Sequence, residues 1–196
     1  MWYKDVLDAN GNVIGKETTK NYQSATNYGT EDLMAPVYGG FGTNLVFKGF
    51  DFAISFSYQI GGKVYDNTYA ALMHTGSSGT AGQNWHKDIQ NAWSENNKGS
   101  NIPRISSGDT YTNRSSTRFL TNASYLAINN INLGYTLPKS LLGKLDISSI
   151  RVYGVVDNVA LFSKRKGMDP RQSITGVGNY NYSPIRSISG GVSVTF

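Results

Sequence analysis

The stretch from residue 50 to residue 60 alternates without a break, and this pattern restricts the fold more than any other feature of the chain. Even positions carry large apolar or aromatic side chains and odd positions carry small or polar ones; the even set is Phe50, Phe52, Ile54, Phe56, Tyr58 and Ile60. Side chains of a β-strand point alternately to the two faces of a sheet. The stretch therefore predicts a strand with one apolar face and one hydrated face.

Four more stretches show the same period. Residues 41–47 alternate in the same way, and Lys48-Gly49 after them predicts a tight hairpin turn to the strand at 50–61. Strands are also predicted at 124–137, 149–161 and 185–196. In the first of these, Asn129 interrupts an apolar set formed by Tyr125, Ala127, Ile131, Leu133, Tyr135 and Leu137. Asn129 is interpreted as a bulge or as a position above the apolar band.

Two architectures fit such strands: a soluble sandwich whose apolar faces form a core, and a membrane β-barrel whose apolar faces meet lipid. The connections favour the barrel. Lys48-Gly49 and residues 138–149 are short, whereas residues 62–117 and 162–184 are long. Outer-membrane barrels have short periplasmic turns and long extracellular loops. The lean composition also suits a barrel, because hydrophobic residues make up only 39% of the chain and charged residues 16%.

Several classes of chemistry lack a sequence signal. There is no cysteine, no apolar run of about 18 residues and no signal-peptide pattern in the first eight residues. A net charge of +5 without charge blocks argues against nucleic-acid binding. Asp8-Ala9-Asn10-Gly11-Asn12 is interpreted as a turn between short strands, because a calcium loop needs other residues after it. His74 and His86 are expected to be solvated loop residues. We expect no catalysis, metal or cofactor.

The long loop carries one helical pattern. Trp85, Ile89, Ala92 and Trp93 fall at i, i+4, i+7 and i+8, which predicts a short helix between Gln83-Asn84 and Asn96-Asn97. Two interpretations stay open: the helix packs against its own loop, or its tryptophans contact a sugar ligand or a partner.

Many short motifs together resemble the C-terminal part of the SusC/RagA family of TonB-dependent outer-membrane receptors of the Bacteroidetes. Their order and spacing across nearly the whole chain carry the resemblance. The motifs are Ala35-Pro36-Val37-Tyr38-Gly39-Gly40-Phe41-Gly42, Lys48-Gly49-Phe50-Asp51, Trp93-Ser94-Glu95-Asn96-Asn97, Ile102-Pro103-Arg104, Ser115-Ser116-Thr117-Arg118-Phe119-Leu120, Ser124-Tyr125-Leu126, Asn130-Ile131-Asn132-Leu133-Gly134-Tyr135-Thr136-Leu137-Pro138, Arg151-Val152-Tyr153, Asp157-Asn158, Gly167-Met168-Asp169-Pro170, Pro184-Ile185-Arg186 and the terminal Phe196.

The resemblance implies an all-β fold, the last five or six strands of a 22-stranded antiparallel transmembrane β-barrel with long extracellular loops and one short loop helix. It implies outer-membrane import of glycans, oligosaccharides or peptides, energised by TonB, under a SusD-like surface lipoprotein that acts as a lid. The barrel-assembly machinery would recognise the terminal strand through Phe196. Residues 1–196 show no plug domain or TonB box, so we expect a fragment, with TonB acting through the missing N-terminal part.

Contacts with the lipoprotein or substrate are expected in the two long loops, at Trp85, Trp93, Tyr111, Tyr180 and Tyr182. Two other hypotheses stay open. The chain could be a self-contained β-sandwich or small barrel that acts as a carbohydrate-binding module, or one part of a split transporter completed by a second polypeptide. A self-contained domain would be soluble without detergent, whereas a barrel segment would aggregate or require detergent.

Overall fold

A computed structural model describes residues 2–29, 32–76, 78–80, 82–143, 147–172, 176–178 and 182–196. The chain forms two compact units, each made from two stretches. The first contains residues 1–31 and 66–120, and the second contains residues 32–65 and 121–196.

The described residues are mainly β-structure. The strands are β1 (Trp2–Leu7), β2 (Val13–Thr19), β3 (Val37–Phe47), β4 (Phe50–Ile60), β5 (Lys63–Asp66), β6 (Leu120–Asn122), β7 (Tyr125–Thr136), β8 (Ser149–Ser163), β9 (Val177–Gly178) and β10 (Ser187–Thr195). Two short α-helices are α1 (Asn67–Leu72) and α2 (Lys139–Leu142). Single 3₁₀ turns lie at Tyr22–Ser24, Ser78–Thr80, Lys87–Asn91, Thr117–Phe119 and Pro170–Gln172.

The second unit is built on a five-stranded antiparallel sheet with the order β10-β8-β7-β4-β3. Each long strand therefore lies beside the next long strand of the chain. A smaller sheet has the order β6-β5-β9, and β1 pairs with β2 in a hairpin. The five strands predicted from the alternation are confirmed, with ends that differ by at most four residues.

The β3–β4 turn has the predicted form. Lys48 has a φ of 46° and Gly49 a φ of 89°, and Phe47 pairs with Phe50 across the turn. Positive φ at both central residues is the type I′ conformation, which matches the twist of the strands that it joins. A Cβ at Gly49 would also lie 2.8 Å from the carbonyl oxygen of Thr136. Only glycine satisfies both requirements at this position.

The connections of the large sheet differ in length at its two ends. At one end, β3 and β4 are joined by two residues, and β7 and β8 by a short segment that contains α2. At the other end, the chain leaves β4 near Ile60 and returns to β7 only at Tyr125, and it leaves β8 near Ser163 and returns to β10 at Ser187. The alternation of short and long connections predicted from the sequence is confirmed.

The register places the alternating residues on common faces, because residues directly paired across antiparallel strands share a face. The middle of the apolar face is a row across four strands, formed by Ile54, Ile131, Val156 and Ile188. A second row is formed by Phe52, Leu133, Gly154 and Gly190. The apolar residues at alternate positions of β4, β8 and β10 therefore lie on one side of the sheet.

Asn129 is a β-bulge, as one of the two sequence interpretations proposed. The pairing of β7 with β4 steps from Ser55–Asn130 to Phe56–Ile128 and omits Asn129. A bulge inserts an extra residue into one strand and reverses its alternation beyond that point.

This reversal corrects one prediction. Tyr125 and Ala127 were expected on the apolar face, but they pair with Gln59 and Ser57 of the polar face. The apolar face continues instead through Leu126 and Ile128, which pair with Tyr58 and Phe56. Ala127 is completely buried.

Much of the apolar face of the large sheet is exposed. The exposed fraction is 55% at Phe41, 59% at Leu45, 52% at Leu133 and 77% at Ile188. Aromatic side chains lie at both of its ends: Phe50 and Tyr135, with ring centroids 4.5 Å apart, lie near the short connections, and Tyr58 and Phe162 lie near the long ones.

The first unit contains the β1–β2 hairpin and the long excursion between β4 and β7. As predicted, residues 8–12 form a turn between two short strands. The Asp8 carboxylate accepts hydrogen bonds from the backbone N–H groups of Asn10 and Asn12, both at 2.8 Å. These bonds, with that from the Asn12 side chain, hold the pKa of Asp8 below its usual value. Buried residues among those described in the unit include Asp66, Ala70, Met73, His74, Thr75, Ile89 and Phe119.

The helix predicted between Gln83-Asn84 and Asn96-Asn97 is wrong. Only a 3₁₀ turn, Lys87–Asn91, forms there; His86 caps it and Trp85 lies outside it. Ala92 adopts an extended ψ of 152°, and the Trp93 N–H bonds to the Ile102 carbonyl at 2.8 Å, so neither residue continues the turn. The described helices are all too short to cross a membrane.

Candidate functional site

The polar face of the large sheet carries an ion pair between strands that are not neighbours. Asp51 lies on β4 and Arg151 on β8, with β7 between them. Arg151 Nε donates to Asp51 Oδ1 at 2.9 Å and Nη2 donates to Oδ2 at 2.5 Å. A further bond joins Arg151 Nη2 to Asn132 Oδ1 of β7 at 3.3 Å. The opposite charges of Asp51 and Arg151 therefore satisfy each other in a bidentate pair.

Glycines leave space for these side chains. Gly134 pairs with Asp51 and is buried beneath the ion pair; a Cβ there would lie 2.5 Å from Asp51 Oδ1 and 2.6 Å from Arg151 Nε. The Arg151 guanidinium also lies 4.8 Å from the ring centroid of Tyr153. Gly191 pairs with Tyr153, and a Cβ there would lie 2.6 Å from its hydroxyl oxygen. Gly134 and Gly191 thus lie where large polar side chains of neighbouring strands cross the face.

Other polar side chains, including the Asp157 carboxylate, extend the network toward the bulge. Asn130 Nδ2 donates to Asp157 Oδ1 at 2.6 Å, and Ser187 Oγ donates to Asp157 Oδ2 at 3.4 Å. Ser57 Oγ donates to Asn129 Oδ1 at 3.1 Å. The face carries polar side chains that hydrogen-bond to one another, and the sequence predicts a polar face on this side of the strands.

The indole N–H of Trp85, a predicted contact residue, is hydrogen-bonded, while nearly half of the residue is exposed. Its Nε1–H reaches both the His74 carbonyl oxygen, at 2.9 Å, and His74 Nδ1, at 3.1 Å, while 47% of the residue is exposed. The expectation that His74 is solvated is wrong, because only 1% of it is exposed. His86 is partly exposed and caps the 3₁₀ turn by accepting the Asp88 N–H at 3.2 Å.

The other predicted contact residues have separate neighbours. Trp93 is 36% exposed. The Tyr111 ring stacks on Tyr22 at a centroid distance of 6.0 Å, in the first unit. Tyr182, in the second unit, is 98% exposed, and its carbonyl oxygen accepts from Gln172. Tyr180 lies outside the described residues.

The Gly167-Met168-Asp169-Pro170 motif ends in two buried residues, Asp169 and Pro170. Asp169 is 5% exposed, and its carboxylate accepts from the Arg171 N–H at 3.0 Å, from Nε at 2.9 Å and from Nη2 at 2.6 Å. These bonds raise the pKa of Arg171 above its usual value. Arg171 and Arg186 line a cleft of about 240 Å³ beside the end of β8. Arg186 Nη2 donates to the Val159 carbonyl at 2.6 Å.

The last strand forms an edge of the large sheet. Within the described residues β10 pairs only with β8, from Ser187–Asp157 to Thr195–Ser149. Phe196 follows directly and is 86% exposed. In the described part of the chain, no group of three or more histidine, aspartate or glutamate side chains is arranged to hold a metal ion.

Curated proteins related in sequence are TonB-dependent receptors. The chain is 29% identical to TonB-dependent receptor P3 of Formosa agariphila and 27% identical to TonB-dependent receptor P26 of the same organism, each over 168 residues. The match covers 80% of this chain and 16% of each relative, so the chain spans about one sixth of their length. No family model matches the chain.

Solved structures similar to the chain are those of the RagAB peptide importer. The chain matches its 'closed-closed' state with a TM-score of 0.75 and 28% identity, over 97% of this chain and 20% of the solved one. The 'open-open' state matches with a TM-score of 0.75 and 27% identity, over 93% and 19%.

The polar and apolar faces, the alternating connections and these similarities agree with one another. RagA is a SusC-like receptor. In sequence and in structure, the chain is therefore similar over most of its length to TonB-dependent receptors and to the SusC-like RagA, which are outer-membrane proteins.

Proposed function

We propose that this chain is the closing segment of an outer-membrane nutrient importer, in which it supplies barrel wall, extracellular loops and the terminal assembly strand. One observation carries the proposal: the large sheet has one exposed apolar face, with aromatic residues at both ends, and one polar face that carries the Asp51–Arg151 ion pair. A membrane barrel needs this arrangement, because its outer face meets lipid and its inner face meets a hydrated lumen. The role is transport and not catalysis.

The orientation follows from the connections. The short ones, Lys48-Gly49 and the segment with α2, would face the periplasm, and the long ones would face outward. The Asp51–Arg151 pair then lies in the periplasmic half of the lumen wall, whereas Asn129 and the Arg171–Arg186 cleft lie toward the outer surface. Other strands would cover the free edges at β3 and β10, since a membrane leaves no unpaired backbone groups in contact with lipid.

The substrate and partner classes are also proposals. The relatives named as peptide importers favour peptides over glycans, and the two-component RagAB complex supports a SusD-like lipoprotein partner. TonB would energise uptake, and the barrel-assembly machinery would insert the protein. The test is uptake by cells that express the complete receptor, with fluorescent peptides and fluorescent oligosaccharides compared in the presence and absence of TonB. TonB-independent entry of both probes would contradict an importer role.

The loop tryptophans are predicted to contact the lipoprotein or substrate. Exchanging Trp85 and Trp93 for alanine should weaken peptide uptake or lipoprotein co-purification about tenfold, because exposed aromatic side chains concentrate contact energy. The matched control is Phe47→Ala, which removes an aromatic residue that is 69% exposed beside the Lys48-Gly49 turn, at the opposite end of the sheet from the long connections. If the double variant transports and co-purifies like the parent, the two side chains serve only loop packing.

Phe196 is predicted to act in assembly. Its deletion from the complete receptor should lower the amount of folded protein in the outer membrane severalfold while synthesis continues. Ser193→Ala, in the same strand, is the control. Heat-modifiable migration of membrane fractions on gels measures the folded amount. Equal insertion with and without Phe196 would show that the assembly machinery does not read this residue.

A further inference from the structure

A cleft beside the C-terminal part of β8, within the second unit, carries two arginines. Its volume is about 240 Å³, and three segments of the chain line it: residues 158–161 of β8, the pair Asp169 and Arg171, and Ser183, Pro184 and Arg186. Pockets that bind whole small molecules have volumes of about 300–1,000 Å³. The cleft therefore suits the end of a ligand, and it is too small for a whole peptide or oligosaccharide.

Asp169 holds the Arg171 guanidinium by one of its edges. The Asp169 side chain is 1% exposed, and it accepts from Arg171 Nε at 2.9 Å and from Nη2 at 2.6 Å. A buried carboxylate needs such charge-assisted partners, so this pairing fixes the position of the guanidinium. Arg171 Nη1 donates to none of the residues that the structure describes, and 22% of the Arg171 side chain is exposed. Nη1 can therefore still donate to a ligand.

Arg186 is anchored at an irregularity of β8. The pairing of β8 with β7 omits Asn158 and Val159, and Asn158 has a φ of 50°. Asn158 Nδ2 donates to the Ile185 carbonyl at 3.2 Å, and Arg186 Nη2 donates to the Val159 carbonyl at 2.6 Å. Two bonds therefore tie the Ile185-Arg186 segment to the irregular part of β8, and they position the second guanidinium at the cleft.

The chain around the cleft has an excess of positive charge. Residues 158–186 contain five basic side chains and one acidic side chain, Asp169, which is paired with Arg171. Within the described part of the chain, no carboxylate pairs with Arg186. An unpaired guanidinium beside a compensated ion pair gives the cleft a positive potential, so its ligand is expected to be an anion.

The cleft adjoins the polar face of the large sheet. Tyr125 lies on that face, opposite Gln59, and contributes to the electrostatic environment of Arg171. Leu161 of the lining pairs with Ala127, which is on the same face. In the proposed orientation this face lines the lumen, and the C-terminal end of β8 lies toward the outer surface. A ligand that enters the lumen from outside therefore passes the cleft.

We infer that this cleft binds the C-terminal carboxylate of an imported peptide through Arg186 and through Nη1 of Arg171. The inference deepens the proposed function and rests on it, because it assigns a subsite to the peptide that the importer takes up. Guanidinium N–H groups match the two oxygens of a carboxylate in geometry and in charge. A terminal carboxylate is present on a linear peptide of any sequence, and it lies at the end of the ligand, the part that the cleft can hold.

The test uses the complete receptor, immobilised in detergent, and a degenerate heptapeptide library without aspartate or glutamate, made with free and with amidated C termini. Mass spectrometry measures the retained peptides. The parent should retain the free-acid form about tenfold better than the amidated form, as expected for charge-assisted hydrogen bonds. Arg186→Gln should lower this preference below about twofold. Lys164→Gln, the matched control, removes the same charge from the same connection but outside the cleft lining, and it should keep the parental preference.

A second variant tests Arg171. Because Arg171→Gln alone would leave the buried Asp169 carboxylate without its partner, it is combined with Asp169→Asn. This double variant should also lose most of the preference for the free acid. A third library, amidated but with one internal glutamate, separates the two sources of a carboxylate, and the parent should retain it no better than the amidated form.

Equal retention of the free-acid and amidated forms by the parent would overturn the inference. A preference that survives in Arg186→Gln or in the double variant, or that disappears in Lys164→Gln, would overturn it as well. Retention of the glutamate library as strongly as the free-acid library would contradict the assignment to the C terminus. All these outcomes leave peptide import intact. If the parent retains none of the three libraries, the peptide class of the proposed function fails, and the inference fails with it.

Discussion

Ile54→Arg should prevent stable insertion of the receptor, whereas Ser55→Arg should be tolerated. Ile54 lies in the middle of β4 on the apolar face and pairs with Ile131. An arginine on the lipid-facing side of a membrane barrel costs about 2–4 kcal/mol near the bilayer midplane. Ser55 is its neighbour in sequence but lies on the polar face, opposite Asn130, which is bonded to the Asp157 carboxylate. A positive charge there meets water and a carboxylate.

The comparison is measured by the temperature at which each receptor loses its heat-modifiable gel mobility, together with its level in outer-membrane fractions. We expect a strong loss for Ile54→Arg and a near-parental value for Ser55→Arg. Equal damage by both substitutions would indicate that both faces are packed against protein, as in a soluble sandwich.

Gly134→Ala should abolish the Asp51–Arg151 ion pair without altering either charged residue. A methyl group at this position would overlap both charged groups, which are ends of flexible side chains and would have to move apart. We expect the free energy of unfolding of the receptor to fall by about 1–3 kcal/mol, the usual range for a single destabilising substitution. Gly154→Ala is the matched control, because a Cβ there meets only the Ser189 carbonyl oxygen at an ordinary 3.9 Å.

A mutant cycle separates the ion pair from other effects of Gly134. In a receptor that already carries Asp51→Ala and Arg151→Ala, the overlap is absent, and Gly134→Ala should be neutral or slightly stabilising, because alanine restricts the unfolded chain more than glycine does. An equal loss in both backgrounds would contradict the role assigned to Gly134 as the space beneath the pair.

The long strands could be predicted from the sequence because one face of each is mainly apolar and the other mainly polar, which produces an alternation of period two. The Lys48-Gly49 turn was predictable for a local reason as well, since its positive φ values need few residue types. The bulge at Asn129 was recognised as an interruption. Its consequence for Tyr125 and Ala127 was not, because the direction in which a bulge resolves depends on the pairing with β4.

The features that could not be predicted depend on contacts distant in sequence or on competing local bonds. Asp51 and Arg151 are 100 residues apart, and nothing in either local pattern indicates the other. The helical spacing of Trp85 and Trp93 is coincidental: the Trp85 N–H bonds to His74, and the Trp93 N–H bonds to Ile102. The sequence contains one local signal for the short helix α1: Asp66 caps the helix by accepting a hydrogen bond from the Tyr69 N–H at 2.9 Å.

The most direct test of the account is a cysteine scan along β4 in the complete receptor, reconstituted in lipid bilayers. This chain contains no cysteine, so each single substitution from residue 50 to residue 60 introduces one new label site in it. Spin labels at even positions should be accessible to oxygen dissolved in lipid, and labels at odd positions to a water-soluble nickel complex. Accessibility without a two-residue period, or with both reagents excluded from the even positions, would contradict a lipid-facing barrel wall.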